Sequence, residues 1–391
     1  MNADTEYLVI GGGAMGSATA YFLAAAGREV VLLERFEPGH VQGASHGSTR
    51  NFNPAYDHLD YVRLLQRSHL LWDEVSQRAG VELLRRTGLV NHGDVPGQRA
   101  IHQVLPRAGF TSELLGIDEA QQRFAGMRFE TEALFIKEGG QINADKAVAA
   151  FQQIAAARGA QVIHEARALS IDVLDENLVS VLVRQSSGER TITARHLVVA
   201  AGAWTQRLLG HAVALPKIHV TEEHPVHFAL KNEVAFWPGF NHTLDPARDI
   251  GSKVFAPVYG MHTPGEGIKV GWHGSGNIID PEHRPHRVIQ EQIAALQDYA
   301  ARWLPGVDSE SFEPVSCTYA NTEDEHFILD RFGPVTVGAG FSGHGFKFVP
   351  AIGEHLAQLA SGKTGAIPAF SASRIIDNPV FLNRRAEAGL E

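Results

Sequence analysis

The chain opens on a short apolar run, Tyr7-Leu8-Val9-Ile10, that stops at glycine, and this pattern predicts a buried strand. Ala14 to Ala26 is rich in alanine and is closed by Gly27, the pattern of a helix with a glycine stop. Val30-Val31-Leu32-Leu33 predicts a second buried strand, ending at Glu34. Strand, glycine turn, helix and strand in that order form a βαβ unit, so a parallel sheet is expected. Residues 57–84 read as mostly helical on Leu64, Leu65, Leu70, Leu71 and Trp72. Ala144 to Arg158 predicts another helix, ended by Gly159, with Gln161-Val162-Ile163 as the strand after it. Residues 168–199 alternate between apolar and polar as a meander does, and close on a buried strand, His196 to Ala200.

From about 215 to 316 the texture changes to one rich in proline, histidine and aromatic residues. Val226 to Leu230 reads as a strand there, with Pro225 just before it, where a strand start tolerates proline. A helix is expected near Val288 to Leu304. Val335-Thr336-Val337 predicts a late strand, followed by a helix from about Lys347 to Ala360 with Pro350 in its first turn. There is no internal repeat and no low-complexity tract, and no obvious linker. Domains that share the chain discontinuously are therefore expected.

Composition narrows the classes. The 391 residues suggest two to three domains at about 150 residues each. With 44% hydrophobic and 20% charged residues, wholesale disorder is excluded. The net charge of −10, without a basic run, argues against nucleic acid as a partner. A single cysteine, Cys317, excludes an internal disulfide and a cysteine-rich metal site, so no metal is expected. The lone thiol fits a reducing compartment, and composition leaves it open as inert or reactive. Tyr7 to Ala26 is broken by Gly11, Gly12, Gly13 and Gly16 and preceded by Asp4 and Glu6. Neither a signal peptide nor a membrane span is expected, and the expected location is the cytoplasm.

Gly11-Gly12-Gly13-Ala14-Met15-Gly16 matches G-x-G-x-x-G between a strand and a helix. Glu34 ends the next strand, close to the separation of about 20 residues that the dinucleotide fingerprint requires. Gly11 permits the tight turn, Gly13 lets backbone approach a pyrophosphate, and Gly16 lets helix and strand pack closely. Glu34 can accept hydrogen bonds from a ribose diol. The fingerprint alone does not separate NAD from FAD. Two later strands also run into glycine turns, at Ala200-Ala201-Gly202-Ala203-Trp204 and at Val337-Gly338-Ala339-Gly340. Three such turns suggest a long dinucleotide wrapped by one sheet, although either later turn taken singly is ordinary loop chemistry.

Other segments carry a resemblance. They are Ser45-His46-Gly47-Ser48-Thr49-Arg50, Lys269-Val270-Gly271-Trp272-His273, Cys317-Thr318-Tyr319, Asp324 to Asp330, and Gly340-Phe341-Ser342-Gly343-His344-Gly345-Phe346-Lys347-Phe348. In order, and together with the fingerprint, they resemble the monomeric sarcosine oxidase / N-methyltryptophan oxidase family of flavoenzymes, a group that includes bacterial fructosyl-amino-acid oxidases. The resemblance runs from about Tyr7 to Gly362. It implies FAD held covalently by a thioether to Cys317. It implies a lysine that activates oxygen at Lys269 and an active-site histidine at His273, four residues on and on the same strand face. His46 and Arg50 would line one face of the flavin, with Tyr319 also in the site. His344 and Lys347 would belong to the glycine-rich turn under it, and Lys347 would pair with a substrate carboxylate. Cofactor contacts are further implied at Ala14, Met15, Arg35, Ser45, Thr49, Ala168, Ala201, Gly202, Trp204, Gly343 and Gly345.

Two departures bear on the substrate. Sarcosine oxidases carry an arginine where this chain has Asn53, and a tyrosine about three residues before the proline matching Pro257, a position that Val254 occupies in this chain. The segment Pro257 to Gly267 is also longer than expected of sarcosine oxidases. These differences point away from sarcosine itself and toward a different or bulkier N-substituted amine. The resulting expectation is an α/β (α+β overall) protein: a glutathione-reductase-like FAD-binding Rossmann domain (1–85, 140–215 and 317–391) with a second, mostly antiparallel β-sheet substrate domain (86–139 and 216–316). The expected activity is a monomeric, FAD-dependent oxidation of a secondary amine with O2 as acceptor. An amine dehydrogenase or D-amino-acid-oxidase relative passing electrons to a partner is the alternative, then a non-catalytic flavin sensor. An NAD dehydrogenase gives no reason for the Cys317 and Lys269 segments.

Overall fold

The computed structural model describes residues 3–210, 212–232, 236–245 and 253–376. Of the expected C-terminal segment, residues 377–391 lie outside them. The strand Thr5–Ile10 is central to a first, eight-stranded sheet. Val30–Leu33 and then Gln161–Ile163 lie parallel on one side of it. On the other side lies the long strand Gly188–Val199, whose second half runs parallel both to Thr5–Ile10 and to Val335–Ala339. The first half of the long strand continues antiparallel into Leu178–Gln185 and Arg167–Asp175, the expected meander. The helices Ala14–Ala25, Ala144–Ala157 and Val349–Ala360 pack together over one face. Val31, Leu33, Val181, Leu197 and Val337 bury the other. Strands buried on both faces are why these segments read as continuous apolar runs.

Two glycines show what this packing demands. Gly11 has φ +103°, and a side chain there would collide with the Ala200 carbonyl on the neighbouring strand. A Cβ on Gly16 would collide with the Gly11 carbonyl oxygen, so only glycine lets the helix start directly over the turn.

A second eight-stranded sheet is antiparallel except for one parallel pair, Gly239–His242 with Leu89–His92. Strand alternation sorts its residues. One face buries Val90, Phe240, Val258, Ile268, Val270 and Trp272 against the helix Gln290–Trp303. The other face turns Leu89, Leu134 and Ile136 into the core under the first sheet. The same face carries Asn91, Asn241, Tyr259, Met261 and Lys269, as the cross-strand pairs Asn91–Asn241, Asn241–Tyr259 and Met261–Lys269 show. The architecture is thus the expected α/β one, a Rossmann-like sheet beside a mostly antiparallel second sheet. Among the described residues the fold also has two three-stranded sheets. In one, Cys317–Asn321 pairs with His219–Glu223. In the other, Arg50–Phe52 pairs with Gly140–Ile142. No helix among the described residues is long and apolar enough to cross a membrane.

Candidate active site

The carboxyl ends of neighbouring parallel strands, at Ile10, Leu33, Val199 and Ala339, all run into turns, and ligands of open α/β sheets bind in the crevice outside such ends. A cavity of about 1610 Å³, open mouth included, fills this crevice. It reaches from Arg35, Arg167 and Glu282, past Gly11, Gly13, Ala14 and Met15, to Arg50, Cys317 and Phe346. Ser45 Oγ accepts the Ala14 N–H at 3.0 Å, which ties the loop to the helix start. Glu34 is buried and accepts the N–H groups of Gly12 at 2.7 Å and Phe36 at 3.0 Å. Burial alone would raise its pKa, but hydrogen bonds from His40, Phe36 and Gly12 hold the carboxyl below its ordinary value. Glu34 is therefore an anion at neutral pH, with lone pairs left over for a diol.

A second cavity of about 930 Å³ meets the first along Arg50, Cys317, Tyr319, Gly343 and Phe346. Its lining includes Thr49, Asn51, Asn53, Tyr56, Asn241, Tyr259, Lys269, His273, His344 and Lys347, with no aspartate or glutamate among the described residues. Arg50 is held by the carbonyls of Thr49, Ala44 and His46, and its guanidinium stands 3.9 Å from Cys317 Sγ. Lys269 is 9% exposed and has no hydrogen-bond or ion-pair partner among the described residues. Burial first, and then Arg50, pull its pKa down to about 8. Lys347 donates to Tyr56 Oη at 3.0 Å and to the His344 carbonyl at 2.9 Å, and burial pulls its pKa down to about 7.

These contacts fix the histidines. His344 Nε2 meets the Glu325 carbonyl at 3.1 Å, so it must be the donor nitrogen, and Nδ1 then accepts from Tyr56 Oη at 3.1 Å. Burial, followed by Lys347, depresses His344 to about 3 and His273 to about 4. His273 Nδ1 lies 3.4 Å from Tyr319 Oη.

Gly11, Gly13, Ala14, Met15, Glu34, Arg35, Ser45, Ala168, Ala201, Gly202, Trp204, Gly343 and Gly345 line the first cavity, together with Arg50, Cys317 and Tyr319. Gly16 lies beneath the turn rather than on the cavity. Thr49, His344 and Lys347 line the second cavity instead, beside Lys269 and His273. His46 lines neither. Its Nε2 is buried without a partner among the described residues, and burial, then Arg50, Arg284 and Lys269, depress its pKa to about 3. Val254 packs against the core of the second sheet, and the tyrosine this hairpin supplies to the cavity is Tyr259. A tyrosine thus reaches the cavity from this hairpin, at Tyr259 rather than at position 254. Sequence reasoning also overlooked Asn51, Tyr56 and Asn241; strand alternation was the signal for Asn241 and Tyr259.

The chain belongs to the FAD-dependent oxidoreductase family DAO, whose pattern matches residues 6–359. It is 31% identical to the monomeric sarcosine oxidase of Bacillus sp. (strain NS-129), over 93% of this chain and 95% of that protein. To the peroxisomal sarcosine oxidase of Mus musculus it is 33% identical, over 92% and 94% of the two chains. Among solved structures, NikD, an unusual amino acid oxidase essential for nikkomycin biosynthesis, superposes with a TM-score of 0.80 at 25% identity, over 94% of this chain and 97% of that one.

FAD fits the residues present. The first cavity is walled by glycine and alanine backbone at strand ends, has an anionic carboxylate at Glu34, and contains Trp204, whose buried Nε1 has no partner among the described residues.

The depressed histidines set the acid limit of the fold. Their folded values, about 3 for His46, His92 and His344 and about 4 for His227 and His273, lie below the ordinary 6.5. The unfolded chain therefore binds more protons as the pH drops, and stability present above about 6.5 is lost progressively toward about 3. Urea unfolding of the cofactor-free protein should show a lower midpoint at pH 5 than at pH 7. An equal or higher midpoint at pH 5 would contradict these assignments.

Proposed function

We propose that this FAD-dependent oxidoreductase oxidises a secondary amine, an N-substituted amino acid, with O2 as the electron acceptor. The products are an imine, which hydrolyses to an aldehyde and an amine, and H2O2. The observation that carries the reading is a cavity with buried cations and no carboxylate in its described lining, sharing a wall with the cavity at the glycine turns of the first sheet. The names of the relatives, sarcosine oxidase and N-methyl-L-tryptophan oxidase, support the same class.

The residues along the first cavity would hold FAD, with Cys317 attaching it through a thioether. When bound, FAD supplies the two-electron acceptor for the hydride equivalent leaving the carbon next to nitrogen. Lys347 has spent two of its three N–H donors on Tyr56 and His344, and the third is available to a substrate carboxylate. His273, neutral through burial and oriented by Tyr319, places no charge against the amine. Lys269 is a fixed cation that favours negative charge on dioxygen as it is reduced. Arg50, 3.9 Å from Cys317 Sγ and on the wall common to the two cavities, is a second cation acting in the same direction.

In stopped flow, Lys269→Met should slow reoxidation by about 10²-fold or more while flavin reduction by substrate changes far less. Reoxidation at the wild-type rate would remove Lys269 from the oxygen step. Acid precipitation of the purified protein should give a yellow pellet, and Cys317→Ser should give a colourless pellet with a yellow supernatant. A colourless wild-type pellet would rule out the thioether.

A further inference from the structure

One wall of the second cavity is built of asparagines drawn from separate parts of the fold. Asn241 and Asn91 are neighbours across the second sheet, and Asn241 Nδ2 donates to Asn91 Oδ1 at 2.8 Å. Asn51 reaches the row from the strand Arg50–Phe52, with Nδ2 3.5 Å from Asn241 Oδ1. Asn53 uses its Oδ1 to accept the Ala55 N–H at 2.8 Å, and its Nδ2 has no partner among the described residues. Asn51 Oδ1 and Asn91 Nδ2 are buried without a partner among the described residues, but off the cavity: Asn51 Oδ1 lies over Gly239, and Asn91 is not part of the lining. Asn51, Asn53 and Asn241 line the cavity itself.

An amide group left unpaired in a buried site costs about 1–3 kcal/mol. On the cavity itself, Asn53 Nδ2 is the amide group left to a ligand, and with Asn51 and Asn241 it gives this wall a neutral, polar surface that a ligand group can pair with. None of these asparagines carries charge. The wall therefore offers a second carboxylate no countercharge, while the one free donor of Lys347 suits a single one. We propose that the substrate carries, on its nitrogen or its α carbon, a neutral hydroxyl- or amide-bearing group that seats against Asn51, Asn53 and Asn241. This rests on the reading of the site as that of an oxidase of N-substituted amino acids, and it names the substrate class within that reading. A polar group matched to buried amides also gives discrimination, because an apolar isostere leaves them unpaired.

The test is steady-state oxidation by the FAD-loaded enzyme of two isosteric pairs. N-(2-hydroxyethyl)glycine is set against N-propylglycine, and N-methylasparagine against N-methylleucine. In at least one pair the polar member should have a kcat/KM at least ~10-fold higher. Asn51→Leu and Asn53→Ala, with FAD absorbance retained as the check on folding, should each reduce that preference. Apolar members equal to or better than polar ones in both pairs overturn the proposal, as does a preference untouched by both substitutions. If no member of either pair bleaches the bound flavin without oxygen, the oxidase reading falls, and the inference with it.

Discussion

Everything in the site follows from burying positive charge without a carboxylate to match it. Arg50, Lys269 and Lys347 face one cavity whose described lining has no acidic side chain. Burial pulls Lys347 down to about 7, and burial with Arg50 pulls Lys269 down to about 8, because desolvation disfavours the charged amine. Nearby groups reduce that cost without neutralising it. Backbone carbonyls take the Arg50 guanidinium, and the Lys347–Tyr56–His344 chain ends on the Glu325 carbonyl. The histidines around them stay neutral, so they add no further repulsion. A cavity in this state favours negative charge arriving from outside, whether a carboxylate or an oxygen taking up electrons.

Such a cavity needs rigid walls, and the two sheets reach it through staples distant in sequence. Arg284 and Glu222 form an ion pair at 3.0 Å with both side chains almost fully buried. The same guanidinium donates to Ser316 Oγ and to the carbonyls of Val41 and Gln42, which ties the residue before Cys317 to the loop leading to Ser45. Breaking a buried pair strands a charge, so this network specifies one geometry more than it adds stability. At the far end of the first cavity, Glu282 receives both Arg35 and Arg167.

The parts legible in the sequence are those set by local patterns. The glycine fingerprint, its helix and the strand ending at Glu34 stand where the apolar runs and the turn chemistry put them. Lys269 and His273 share a cavity because strand alternation carries them to one face. The residues not legible are those whose neighbours are set by tertiary pairing. Counting back from Pro257 led to Val254, whereas the pairing of Val258–Thr263 with Gly267–Trp272 brings Tyr259 to the cavity. The asparagine wall needs strands far apart in sequence to meet, and no local motif marks it. His46, quoted within a motif, lies beside the cavities rather than on them, which spacing alone does not show.

The central claim is that the second cavity is an anion site through Lys347. Binding of propionate and of its uncharged methyl ester to the FAD-loaded protein, followed by perturbation of the flavin absorbance, tests it directly. Propionate should bind at least ~10-fold more tightly, and Lys347→Met should remove the difference. Equal affinity for the acid and the ester in the unsubstituted protein would contradict it.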